Sequence, residues 1–111
     1  MNFGFDIDGT ITHSPKAFGA IMESLMRCGH QVHVLTGTMD PAITQGHYTA
    51  RHKQLAACGV AGKYHHLHIV IAPHPQNKAS YCQLHNIVMM FEDSPSYADA
   101  IKKVTTCLLI Q

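Results

Sequence analysis

The 111-residue sequence has no tryptophan, and only 14% of its residues are Asp, Glu, Lys or Arg, against about 25% in an average globular domain. With 46% apolar residues, that scarcity of charge excludes a disordered charged tail and argues for a tightly folded globule. A net charge of +1, with ten histidines counted as neutral, excludes the basic footprint of backbone-directed nucleic-acid binders, so no nucleic-acid partner is expected. The longest apolar runs are of strand length and no charged-then-apolar leader opens the chain, so neither a membrane partner nor export is expected. The cysteines Cys28, Cys58, Cys82 and Cys107 lack paired spacing, which excludes a zinc site or a disulfide framework and implies buried free thiols in a reducing, cytoplasmic setting. No internal repeat is present, and the length fits one domain, residues 1–111.

The residues present alternate between short apolar runs and helical patterns. Asn2 to Ile7 reads as a buried strand, and Ser14-Pro15 gives a capping hydroxyl followed by the residue best suited to a first helical position. Phe18, Ile21, Met22, Leu25 and Met26 recur on one helical face up to the stop at Gly29. Val32 to Leu35 is the second strand. Asp40-Pro41 repeats the cap-then-proline signal, but Gly46 weakens a helix started there, so the second helix is expected over His47 to Cys58. A third strand, Leu67 to Ile71, precedes a helix from Gln76 to His85. Ile87 to Phe91 is the fourth strand, Ser94-Pro95 opens a helix to about Lys103, and Thr105 to Ile110 is the last strand. This βαβαβαβαβ order predicts an α/β fold of three layers, a doubly wound, Rossmann-like, five-stranded parallel sheet covered on both faces.

The candidate chemistry lies at strand ends. In Phe5-Asp6-Ile7-Asp8-Gly9-Thr10 two carboxylates one residue apart follow the first strand, and Gly9 permits a sharp turn there. Thr36-Gly37 follows the second strand, Lys78 lies on the helix before the fourth, and Glu92-Asp93 follows the fourth. Open α/β sheets place their sites at this edge. Taken singly, each has an ordinary explanation as a turn, a loop or a solvated helix residue. Together they fall in order on the right strand ends.

This ordered set resembles the haloacid dehalogenase (HAD) superfamily of phosphohydrolases, in all four of its motifs and over Phe3 to about Asp99. The resemblance implies a Mg²⁺-dependent phosphatase that hydrolyses phosphate monoesters through an aspartyl-phosphate on Asp6. A carboxylate with a reference pKa of about 3.9 is ionised at neutral pH and needs no base to attack phosphorus. Two like charges ~4 Å apart cost roughly 4 kcal/mol at an effective dielectric of about 20, so a hard cation and a lysine must offset the approach of a phosphate. By resemblance the Mg²⁺ ligands are the Asp6 carboxylate, the Asp8 backbone carbonyl and Asp93, with Glu92 nearby or acting through water. Asp8 is implied as general acid and then base. Thr36 and Gly37 are implied to hold phosphoryl oxygens, and Lys78 to supply a point charge, with Lys63 as a fallback.

Unlike many relatives, the chain has no room for a cap domain: Gly9 to Ser14, Gly59 to Leu67 and Ala72 to Gln76 are all too short. A phosphorylated substrate, small molecule or macromolecule, is implied, and the resemblance suggests that without a cap either a large substrate covers the site itself or a neighbouring subunit of a homo-oligomer supplies the lid; the low charged fraction favours the oligomer. Two alternatives stand beside the phosphatase: a phosphotransferase of the same family, and a non-catalytic, receiver-like phosphate-binding module. His66 and His68 flank Leu67 on one strand face and are read as half-buried polar residues, while His74 is expected in the loop nearest the active edge.

Overall fold

Alternate residues of the first strand face opposite sides of a sheet, and that alternation sorts the whole chain into layers. A computed structural model describes residues Met1–Gln111. Strand β1 (Asn2–Asp6) pairs in parallel with β2 (Gln31–Gly37) on one side and β4 (Ile87–Glu92) on the other. The outer strands are β3 (His66–Val70), next to β2, and β5 (Thr106–Leu109), next to β4, giving the order β3-β2-β1-β4-β5. This is the expected five-stranded, all-parallel, doubly wound sheet.

Helices α1 (Pro15–Arg27) and α2 (Gln45–Ala57) cover one face, and α3 (His74–Leu84) and α4 (Pro95–Ile101) the other. The first core layer joins Phe5, Val32 and Val34 to Phe18, Met22 and Leu55, and the second joins Leu35 and Met90 to Tyr81, Cys82, Ala98 and Ile101. The aromatic ladder Phe5–Phe91, stacked at 4.7 Å with Phe18 edge-on to both, seats α1 on the middle of the sheet. Strand order grows outward from β1 in one direction through β2 and β3, then restarts on its other side with β4 and β5. With crossovers of one hand, that reversal moves the later helices to the opposite face and leaves a crevice between the ends of β1 and β4.

Most boundaries fall within two residues of those expected, and the differences have local causes. Asp40-Pro41 caps no helix: α2 begins at Gln45, where the Thr44 N–H donates to His47 Nδ1 at 2.9 Å and His47 Nε2 donates to Asp40 at 2.6 Å. Of the four free cysteines, Cys82 and Cys107 are buried but Cys28 is exposed. Burial pushes the Cys82 thiol up to about 12 and Cys107 up to about 11, so both act as small apolar residues. None of the helices is long and apolar enough to cross a membrane.

His66 and His68 share a strand face, as their spacing requires, and they join a larger ring cluster. His33, 3% exposed, holds the Tyr81 hydroxyl at 2.8 Å and Asn2 Oδ1 at 3.0 Å and stacks on His66 at 4.4 Å. His68 and His85 stack on Tyr81. Burial, with His66, His85 and His65 nearby, lowers the His33 pKa to about 4. A histidine held neutral in the fold contributes stability above its unfolded pKa of about 6.5, and that contribution is lost as pH falls toward 4, by on the order of 1–3 kcal/mol. The melting temperature should therefore fall across this window, and His33→Gln should flatten the fall. An equal fall in the variant would assign the acid sensitivity to other groups.

Candidate ligand-binding site

The crevice between β1 and β4 is lined by the residues the sequence singled out. After Asp6 the chain turns through Ile7–Ile11, with Asp8 extended and Gly9 at φ 81°. The Asp93 carboxylate lies where a side chain on residue 9 would stand, so Gly9 answers both to its own backbone and to the loop after β4. Thr36 and Gly37 end β2, and the His74 ring lies 3.1 Å from the position a Gly37 Cβ would take. Asp6, Asp8, Thr36, Gly37, Lys78, Glu92 and Asp93 all line one cavity of about 230 Å³. Lys63 is not among them: its ammonium lies beside Gly19 and Glu23 on α1.

At the floor of the cavity Lys78 donates to Asp6 Oδ1 and to Glu92 Oε2, both at 2.8 Å. The lysine is 1% exposed and Glu92 is 0% exposed. Burial alone would lower the Lys78 pKa, but the charges and hydrogen bonds of Asp6 and Glu92 outweigh it and leave the pKa raised. Asp6 responds in the opposite sense for an acid: burial drives its pKa upward, Lys78 opposes, and Glu92 adds to the rise. Glu92 Oε1 accepts the N–H groups of Asp93 at 3.1 Å and Ser94 at 3.3 Å, so both of its oxygens serve the fold. Asp6 Oδ2 is touched by the Thr10 hydroxyl at a long 3.5 Å.

Three contributors carried no sequence signal. Arg51 and Gln54 of α2 hold the two oxygens of Asp8, at 3.0 and 2.6 Å. Tyr97 places its ring 5.0 Å from the Lys78 ammonium and its hydroxyl 3.3 Å from His74 Nδ1. His74, expected in the loop near this edge, is the first residue of α3, lines the cavity and donates from Nε2 to the Thr38 carbonyl at 2.7 Å.

No family model matches the chain, and no curated protein does. Among solved structures it is similar to a universal stress protein crystallised in complex with cAMP, with a TM-score of 0.63 and 9% identity over 100% of this chain and 96% of that one. At that identity the likeness establishes the fold, a Rossmann-like α/β sheet without a cap.

These findings correct the expectation of a HAD phosphohydrolase. The family resemblance finds no support, and the matching architecture is that of a universal stress protein. The Mg²⁺-dependent phosphatase, its aspartyl-phosphate and the phosphotransferase alternative rested on that resemblance and go with it. The site gives physical reasons in the same direction. Asp6 is buried and bound by Lys78 at 2.8 Å, so its carboxylate is engaged in the ion triad. Asp8, the expected acid and base, has both side-chain oxygens engaged by α2.

The buried ion triad makes a direct prediction. Lys78→Met leaves Asp6 and Glu92 facing each other without a cation and should lower stability by about 3–5 kcal/mol, read by urea unfolding. A loss below about 1 kcal/mol would mean that water reaches these carboxylates and that the triad does not hold β1, β4 and α3 together.

Proposed function

We propose that this protein binds a small phosphorylated molecule, a nucleotide or close analogue, at the β1–β4 crevice and holds it without turning it over. The observation that carries the reading is the joint placement of Thr36, Gly37 and Lys78 along one cavity, where the lysine, paired with Asp6 and Glu92, offsets the carboxylate charge beneath an incoming phosphate. A hydroxyl, a glycine backbone and a lysine at a switch point suit phosphoryl oxygens, because glycine lets the chain approach them closely. The ligand seen with the universal stress protein of similar fold, cAMP, is a molecule of this class. The ion pairing of Asp6 and the engagement of both Asp8 oxygens support retention without turnover.

Mg²⁺ belongs to the same proposal. Carboxylate oxygens of Asp6, Glu92 and Asp93 lie within 4.8 Å of one another, and hard oxygen donors at this spacing fit that ion. Glu92 is already spent on Lys78 and two backbone N–H groups, so Asp6 and Asp93, with the Asp8 backbone carbonyl, are the ligands we assign. When bound, the ion offsets the repulsion between these carboxylates and an incoming phosphate. A single domain in the cytoplasm, acting alone or as a homo-oligomer that covers the open cavity, completes the reading.

Calorimetry with AMP, cAMP, ATP and inorganic phosphate, with Mg²⁺ and with chelator, tests it. We expect at least one nucleotide to bind in the micromolar range, about −8 kcal/mol, with at least tenfold weakening in chelator. Thr36→Val should weaken binding further while leaving the melting temperature within about 3 °C. Absence of binding by every phosphate-bearing probe would overturn the proposal.

A further inference from the structure

An incoming phosphate would meet four carboxylates and one lysine in this cavity. Asp6, Asp8, Glu92 and Asp93 all line it, and Lys78 is already shared between two of them. Asp8 is the exposed member, and it is met from outside the cavity by α2. Arg51 Nη1 donates to Asp8 Oδ2 at 3.0 Å and to Gln54 Oε1 at 2.8 Å, and Gln54 Nε2 donates to Asp8 Oδ1 at 2.6 Å. The other nitrogen of the same guanidinium, Nη2, donates to the Gly37 carbonyl at 2.9 Å. One side chain thus spans the loop after β1 and the end of β2, two walls of the cavity. Only Leu55 of the thirteen α2 residues is buried, so this polar bridge is a principal tie between that helix and the site.

We infer that Arg51, supported by Gln54, is a positioning residue of the phosphate site: it cancels the Asp8 charge and fixes the β1 and β2 loops relative to each other. The inference rests on the phosphate-binding reading for its charge argument and on the bridge itself for its loop argument. A planar guanidinium is required, because a lysine ammonium supplies the charge but lacks the fork that reaches both loops at once.

Two readouts on the full chain test it. In AMP titrations with Mg²⁺, Arg51→Ala should weaken binding about tenfold or more, and adding Asp8→Asn should bring it back to within about threefold of the parent, since a neutral residue 8 no longer needs cancelling. In hydrogen exchange, amides of 7–11 and 36–40 should open about tenfold faster in Arg51→Ala, with α1 and β5 unchanged. Arg51→Lys should recover much of the affinity without the loop protection. A binding loss that Asp8→Asn does not repair overturns the charge role, and unchanged exchange in both loops overturns the positioning role. If the parent protein binds no phosphate, the functional reading fails, and the exchange comparison still decides whether Arg51 ties the loops.

Discussion

Everything at the open edge of the sheet depends on one ammonium group closed in between two carboxylates. Lys78 comes from α3, Asp6 from the end of β1 and Glu92 from the end of β4, so their 2.8 Å contacts join two neighbouring central strands to a covering helix. An isolated buried charge is too costly to keep, and a single ion pair in the interior barely offsets its desolvation. The extra partners offset the remainder: Glu92 also accepts two backbone N–H groups, and Tyr97 lays its ring near the ammonium. Such a triad specifies where the strand ends must lie as much as it stabilises them.

That constraint changes how the motif residues are understood. Two aspartates after the first strand, a threonine-glycine pair, a lysine and an acidic pair suggest a reactive centre when read along the chain. In space, part of the set is committed to structure. Glu92 has no free oxygen and Lys78 has two carboxylates to satisfy, while Asp8 is turned to α2. The space left open is a recess with one weakly engaged oxygen of Asp6 and the carboxylate of Asp93 beside Gly9. Motif order reports which residues gather at an edge; the number of hydrogen bonds each already makes decides what they are free to do there.

The fold was legible because its signals are local. Serine-proline and glycine bracket α1, the Phe18–Met22 spacing marks its inner face, and apolar runs of five or six residues bounded by turn residues mark the strands. The gathering of Asp6, Thr36 and Glu92 at one edge follows from strand direction alone, and Lys78 joins them from the second turn of α3. The contacts of Arg51, Gln54 and Tyr97 do not, because α2 and α4 meet the site through their orientation on the sheet, and nothing in the local spacing encodes that. Asp40-Pro41 starts no helix, and α2 opens at Gln45, two residues before the expected His47, for a related reason. Thr44 and His47 offered a competing cap four residues on, and the Asp40 carboxylate was drawn to the His47 ring instead.

The histidine cluster and the recess share one helix, α3. Tyr81 and His85, which pack with His33, lie one and two turns beyond Lys78, on α3 and at its C-terminal cap, and Tyr81 and Cys82 anchor that helix to the second core layer. Protonating His33 would put a charge among His66, His85 and His65 and set it against the contact with the Tyr81 hydroxyl. Tyr81 shares α3 with Lys78, whose ammonium donates to both Asp6 and Glu92 at 2.8 Å. The recess is therefore bordered from two directions: by α2 through Arg51 at its rim, and by α3, whose far end packs through Tyr81 and His85 on His33.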